Sequence, residues 1–157
     1  MVILLRSRPR EDISQASSRG RPVLLATLEV PYDRAAAAFA VDAAVECGQR
    51  LIVANVVEMP LGPMCLMMGY GALDPSKDDE AKLRAPAELA RDLGVEVERV
   101  RVRSPHPLDA LLELVTEREP ALLVFGPDRS RVKPCAFRKA AKKIRDRVGC
   151  LVWLADD

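Results

Sequence analysis

The chain has 157 residues, of which 49% are hydrophobic and 30% are charged, and its formal net charge is +1. This length and composition are typical of one globular domain that buries a core without disulfides or metals. Because the net charge is close to zero, overall electrostatics gives no argument for binding to nucleic acid or membranes. No apolar run reaches the roughly eighteen residues of a membrane-spanning helix, so we expect no membrane partner.

The first 21 residues mix Arg, Ser, Gly, Glu and Asp without sustained apolar periodicity. We predict a flexible arm over residues 1–21 and a single domain over residues 22–157. The apolar start of the chain is followed by arginines, whereas a signal peptide would place its charges first. The four cysteines show no C-x-x-C spacing and no secreted disulfide pattern. The expected location is therefore the cytoplasm.

Five segments have strand patterns. Four are short continuous apolar runs, which are typical of strands covered on both faces, and they occupy residues 23–28, 51–57, 121–125 and 150–154. In the fifth, residues 95–102, charged residues separate the valines, and the alternation skips phase between Val97 and Val100. This pattern predicts an edge strand with one solvated face, and the skip suggests a β-bulge.

Helical patterns lie between the strands. Asp33 precedes an alanine-rich stretch that predicts the first helix, which Gly48 ends as a C-cap. Ser76 begins a second helix, in which Pro86 predicts a kink or a split, and Pro107 suits the first turn of a third. The fourth helix has an apolar inner face made of Phe137, Ala140, Ala141, Ile144 and Val148.

Strict alternation of buried strands and helices predicts a Rossmann-like α/β fold. A parallel sheet lies between two helical layers, giving a three-layer α/β/α domain. In such folds ligands bind beyond the carboxyl ends of the strands, where the strand order changes direction. The loops after residues 28, 57 and 125 are therefore the candidate ligand-binding loops.

The C-terminal third of the chain carries a family resemblance. An apolar strand ends at Gly126, a basic helix follows, and residues 149–154 read Gly-Cys-Leu-Val-Trp-Leu. These features resemble the universal stress protein family, and the likeness covers residues 22–155. The resemblance implies a five-stranded parallel sheet in the order 3-2-1-4-5 and a role in the stress response.

Nucleotide-binding members of that family carry G-x2-G-x9-G-[ST] after the fourth strand. The glycines let backbone N–H groups close on phosphates, and the hydroxyl group binds them at a helix start. The chain keeps Gly126, but Arg129 stands at the second glycine and Ala140 at the hydroxyl position. Lys139 stands at the third glycine, or Arg138 if the alignment shifts by one residue. The motif is therefore degenerate.

The acidic residue that the family places at the end of the first strand is also replaced, here by Leu28. We therefore expect no cofactor and no ATP binding of the usual kind, although Arg and Lys attract phosphate and ATP stays an alternative. A small anionic ligand or an unidentified protein partner also stays open. The candidate pocket residues are Thr27, Leu28, Val56, Gly126, Arg129, Ser130, Lys139 and Ala140.

Three other features favour structural interpretations. Residues 127–147 hold nine Lys or Arg residues, but aromatic stacking partners are lacking, so we interpret the run as a solvated helix face rather than a nucleic-acid site. The Met-rich segment 59–71 could offer Cu(I) ligands, but a hydrophobic lid or partner surface is favoured because no second Cys or His lies nearby. His106 has no neighbouring nucleophile. We predict no metal site and no catalytic residue.

In the implied strand order the last strand is an edge, and its apolar run contains no Lys, Pro or Glu. We predict a homodimer that pairs through this strand, and the family resemblance implies the same pairing. The residues of this dimer edge are Cys150, Leu151, Val152, Trp153 and Leu154. The functional hypothesis is a non-enzymatic regulatory binding module. The alternatives are an ATP-binding member with a non-standard phosphate cradle and an enzyme of the adenine-nucleotide hydrolase-like fold group.

Overall fold

The structure is a computed structural model that describes residues 20–59 and 74–154. Residues 1–19, which form most of the predicted arm, lie outside the described residues. The same is true of residues 60–73, which include nearly all of the predicted Met-rich lid, and of residues 155–157.

Within the described residues, five strands alternate with four α-helices. The strands are β1 (Val23–Leu28), β2 (Leu51–Glu58), β3 (Val97–Ser104), β4 (Leu122–Phe125) and β5 (Leu151–Leu154). The helices are α1 (Arg34–Cys47), α2 (Lys77–Asp92), α3 (Pro107–Arg118) and α4 (Pro134–Arg147). A short 3-10 turn, Arg129–Arg131, lies between β4 and α4.

All strand pairs are parallel, and the sheet order is β3-β2-β1-β4-β5. This confirms the predicted fold and strand order. Because β1 pairs with both β2 and β4, the chain reverses its direction of winding there. The switch point of the sheet therefore lies at the carboxyl ends of β1 and β4, where ligands bind in such folds.

The core has two layers, one on each face of the sheet. β1 illustrates the division, because Leu24 faces α3 and α4 while Leu25 faces α1 and α2, and both side chains are fully buried. Complete burial of each contributes about 1.5–3 kcal/mol. Leu111 of α3 and Ile144 of α4 complete the first layer, and Val41 of α1 packs in the second. Strands buried on both faces explain the continuous apolar runs.

Capping residues mark the helix ends, at Gly48 and Ser76 as predicted and at Asp33 in addition. The Asp33 carboxylate accepts a hydrogen bond from Ala36 N at 3.0 Å, and Gly48 ends α1 in the left-handed region at φ 62°. The Ser76 hydroxyl caps α2 by accepting from Asp79 N. α2 nevertheless continues unbroken through Pro86, which is buried against the core. Of the predicted kink or split, the split is therefore wrong, since packing outweighs the loss of one helical N–H donor, and the kink stays a prediction.

The edge position of β3 is confirmed, but its predicted bulge is wrong. β3 pairs with β2 residue by residue from Val97 to Ser104, without interruption. Val97 packs with the α1–α2 layer, whereas Val100 and Val102 pack with the α3–α4 layer. The phase skip in the sequence therefore marks a change of the apolar face along a regular strand.

Candidate functional site

Two loops meet at the switch point and are tied together by backbone hydrogen bonds. The β1–α1 loop contributes Asp33 N, which donates to Gly126 O at 2.9 Å. The loop after β4 contributes Asp128 N, which donates to Pro31 O at 2.9 Å. A backbone bridge joins Tyr32 to Pro127 between these two bonds. The carboxyl ends of β1 and β4 are therefore held at a fixed separation.

Gly126 lies where α1 packs directly on the end of β4. A Cβ atom added at Gly126 would lie 2.1 Å from Ala36 Cβ. Real Cβ atoms do not approach so closely, so this glycine is required by the packing of α1. Its presence is explained without any phosphate ligand.

A cleft of about 280 Å³ opens beside these loops, on the α3–α4 side of the sheet. We call it the switch-point cleft. Its apolar wall includes Leu28, Phe125, Phe137 and Ala140, and charged residues at its rim are Glu29, Glu58, Arg131 and Lys133. Two predicted pocket residues, Leu28 and Ala140, therefore line one cavity.

Arg129 and Ser130 make local contacts in the 3-10 turn. The Arg129 guanidinium stacks over the Phe137 ring, 3.7 Å from its centroid, and Phe137 in turn stacks on Phe125 with centroids 5.8 Å apart. The Ser130 hydroxyl donates to Asp128 Oδ1 at 2.6 Å. Both of these candidate pocket side chains are thus engaged with neighbouring protein groups.

Lys139 and Ala140 occupy the interior of α4. They are the sixth and seventh residues of this helix, which begins at Pro134. Only the first four N–H groups of an α-helix lack an intrahelical acceptor, and Phe137 N already donates to Lys133 O at 3.0 Å. The backbone N–H groups of Lys139 and Ala140 therefore belong to the hydrogen-bonding ladder of the helix. The Lys139 side chain is exposed to solvent.

The remaining two predicted pocket residues are fully buried. Thr27 turns its hydroxyl toward the β1–α1 loop and donates to Val30 O at 2.8 Å. Val56 packs in the α3–α4 core, opposite Leu28 across the β1–β2 pair. Neither side chain lines the switch-point cleft, although both support the strands that form it.

Sequence reasoning missed Glu29 and Tyr32 in the β1–α1 loop. Glu29 has φ 64°, a left-handed conformation that costs a non-glycine residue energy. Its carboxylate accepts a hydrogen bond from Glu58 N at 3.1 Å, which joins the loop to the end of β2. The only sequence signal was position, since both residues follow directly after a buried strand at the switch point.

The side chain of Tyr32 fixes this loop to β2. It is buried, and its phenol donates to Ala54 O at 2.8 Å. Burial raises the pKa of the Tyr32 phenol far above its ordinary value of 10.0, and the positive charge of Arg99 offsets this only in part. The folded protein therefore holds the phenolic proton more tightly than the unfolded chain does.

We expect Tyr32→Phe to lower the free energy of unfolding by about 1 kcal/mol near neutral pH, because one buried hydrogen bond is lost. The contribution of the neutral phenol is present below about pH 10 and is lost as the pH rises above the unfolded pKa. The variant should therefore lose less stability than the wild type between about pH 9.5 and 11. Urea unfolding across this range measures both effects, and parallel pH profiles would contradict them.

The five residues of the predicted dimer edge lie in and directly before β5, which is an edge strand of the sheet. Leu151 is 75% exposed, while Leu154 is buried. Trp153 is half-buried and stacks on Phe39 of α1 with ring centroids 4.9 Å apart. Val152 and Cys150 are half-buried and pack toward the α3–α4 core. The exposed apolar part of this edge is therefore centred on Leu151.

Residues 20–59 and 74–154 contain no group of three or more His, Cys, Asp or Glu side chains arranged to hold a metal ion. Three cysteines in these ranges, Cys47, Cys135 and Cys150, are free thiols. No helix in the described part of the chain is long and apolar enough to cross a membrane.

A doubly wound parallel sheet with a cleft at its switch point defines a Rossmann-like α/β domain. The model of the universal stress protein family matches residues 20–154. The chain therefore belongs to the universal stress protein family. No curated protein matches its sequence.

Solved structures of family members share the fold. A protein of this family from Burkholderia pseudomallei has a TM-score of 0.62 and 18% identity, covering 89% of this chain and 98% of its own. A universal stress protein from Archaeoglobus fulgidus, in complex with dAMP, has a TM-score of 0.54 and 17% identity, covering 87% and 98%. A universal stress protein in complex with cAMP has a TM-score of 0.55 and 21% identity, covering 86% and 95%.

Proposed function

We propose that this chain is a regulatory binding module of the stress response that does not hold ATP on a glycine-rich phosphate cradle. The observation that carries the proposal is the continuity of α4 through Lys139 and Ala140. A phosphate cradle needs free backbone N–H groups at a loop or a helix start. At these two positions the N–H groups lie within the helix.

The 3-10 turn supports the same proposal. Arg129 occupies the second motif position with a long side chain, and its guanidinium lies against Phe137 rather than over an open loop. A phosphate that approached the backbone here would have to displace this contact. The side chain therefore fills space that a glycine would leave to the ligand.

We also propose that the module is not an enzyme. The lining of the switch-point cleft includes the carboxylates Glu29 and Glu58 but no histidine, cysteine or serine among the described residues. The Glu29 carboxylate already accepts a hydrogen bond from Glu58 N, and the described lining offers no pairing of a hydroxyl or thiol nucleophile with a histidine base.

A nucleoside monophosphate is the second candidate, because the first turn of α4 borders the cleft. Cys135 N and Ala136 N lie in the first turn of this helix, and no side chain caps it. Lys133 and Ala136 both line the cleft. Helix starts of this kind attract anions, and the structurally similar proteins with dAMP and cAMP give the nucleotide class a precedent.

The module is proposed to work as a homodimer paired through β5. This edge strand has no neighbour on its outer side within the described residues, and Leu151 exposes 75% of its surface there. Exposed apolar edge strands invite pairing with another chain, and a two-fold copy is the commonest partner.

Native mass spectrometry of the full-length protein, as purified, tests the proposed dimer and the proposed lack of ATP binding. We expect the mass of a dimer and no retained ATP. Retained ATP would overturn the proposal, whereas a retained monophosphate would favour the second candidate.

A further inference from the structure

A second cavity lies on the opposite face of the sheet from the switch-point cleft. It has a volume of about 240 Å³ and lies between α2 and the middle of β2 and β3. We call it the α2 cavity. Since a water molecule occupies about 30 Å³, this space suits a small organic molecule. The polar groups of its lining come from Tyr32, Asn55, Glu80, Arg99 and Arg101.

Asn55 is the most unusual residue of this lining. It is only 8% exposed, on a strand whose other inward side chains are apolar, and its Oδ1 atom has no hydrogen-bond partner among the described residues. Buried polar groups in proteins nearly always have a partner, and a buried acceptor without one destabilises the fold. A leucine has almost the same shape and would carry no such penalty. The fold therefore does not account for an asparagine at this position, whereas a ligand would.

The lining of the α2 cavity carries charges of both signs. Arg99 Nη2 lies 3.4 Å from Glu80 Oε1, and Arg101 Nη2 lies 3.7 Å from Asp74 Oδ1. Glu80 also pairs with Arg84 and Asp74 with Arg103, and Asp74 lies outside the lining. The charged groups of the lining itself are therefore two guanidinium groups and one carboxylate, which leaves one formal positive charge in excess. A guanidinium presents paired donors that fit a carboxylate. Such a lining suits a ligand whose carboxylate meets the excess positive charge and whose donor group meets Glu80 and Asn55 Oδ1.

We propose that the α2 cavity binds a small zwitterionic amino-carboxylate, a free amino acid or a close analogue. The carboxylate of the ligand pairs with Arg99 and Arg101. Its ammonium group donates to Asn55 Oδ1 and to Glu80, which supplies the partner that the buried amide lacks. The apolar side chain of Leu83 packs against the rest of the ligand. This site is separate from the switch-point cleft, so the proposal stands independently of any nucleotide binding.

The test uses the full-length protein in equilibrium dialysis against an equimolar mixture of the twenty amino acids, followed by mass spectrometry of the retained molecules. We expect one amino acid, or a few related ones, to be enriched on the protein side with a dissociation constant below about 1 mM. The same amino acids should raise the melting temperature, because they bind only the folded state. If no amino acid is enriched, the cavity holds only water and the proposal is wrong.

Two variants with a matched control locate the site. Arg99→Gln should weaken binding by about tenfold or more, because a charge-assisted bond to the carboxylate is lost. Arg103→Gln is the control, since Arg103 lies on the same face of β3 and contacts Asp74 but does not line the cavity. Its affinity should stay within about twofold of the wild type. Equal losses in both variants would contradict the assignment.

Asn55→Leu separates a ligand site from a structural role. We expect this variant to lose amino-acid binding while its melting temperature rises by about 3 °C, because a buried amide with an unpaired oxygen is replaced by an apolar group of nearly the same shape. Wild-type affinity in this variant would overturn the proposal. Should the variant fold poorly, the comparison of Arg99→Gln with Arg103→Gln still decides, since both are changes at the surface.

Discussion

Gly126→Ala is expected to lower the free energy of unfolding by about 3 kcal/mol, at the upper end of the usual cost of overpacking a core. The added Cβ would lie 2.1 Å from Ala36 Cβ, and Ala36 is fully buried on α1. Helix and strand would have to separate to accept it. Urea unfolding followed by circular dichroism measures the loss.

Gly149→Ala is the matched control, because nothing lies within 4 Å of a Cβ added there. Its free energy of unfolding should change by less than about 0.5 kcal/mol. The double variant Ala36→Gly, Gly126→Ala should recover part of the loss, at the cost of about 1 kcal/mol for a glycine within a helix. A Gly126→Ala protein as stable as the wild type would show that the packing of α1 does not require this glycine.

Leu151→Lys is expected to convert the proposed dimer into a monomer. A charge at the most exposed apolar position of β5 would have to be buried without a partner in the paired edge. Leu151 is 75% exposed within one subunit, so the substitution should not disturb the fold of that subunit. The circular dichroism spectrum of the monomeric variant should therefore match that of the wild type. Sedimentation velocity at high micromolar concentration measures the change.

Val152→Lys, at the next position of the same strand, would be a poorer test of pairing. Val152 is half-buried and packs against the α3–α4 core, so Val152→Lys would disturb folding and pairing together. Lys142→Glu on the exposed face of α4 serves as the control for a change of charge alone. A wild-type protein that sediments as a monomer would rule out the β5 dimer.

The fold could be predicted from the sequence because its signals are local and repeated. Continuous apolar runs identified the strands, and the capping residues Gly48 and Ser76 indicated helix ends that the structure confirms. The errors arose where tertiary packing decided the outcome. Pro86 stays inside one helix because its ring is buried against the core. The valines of β3 change phase because the apolar face itself changes along the strand.

The candidate site could be predicted only in part. Leu28 and Ala140 were expected near one pocket, and both line the switch-point cleft. The roles of Glu29 and Tyr32 depend on contacts across the β1–α1 loop to residues more than twenty positions away. Asn55 looked like an ordinary strand residue, because a sequence does not show which buried groups lack a partner. Such features depend on three-dimensional placement, which local patterns do not encode.

Isothermal titration of the full-length protein with ATP and Mg²⁺ tests the central claim most directly. Because α4 is continuous through Lys139 and Ala140 and Arg129 stacks on Phe137, the account predicts a dissociation constant weaker than ~1 mM, which corresponds to less than about 4 kcal/mol of binding free energy. Micromolar affinity for ATP would contradict it.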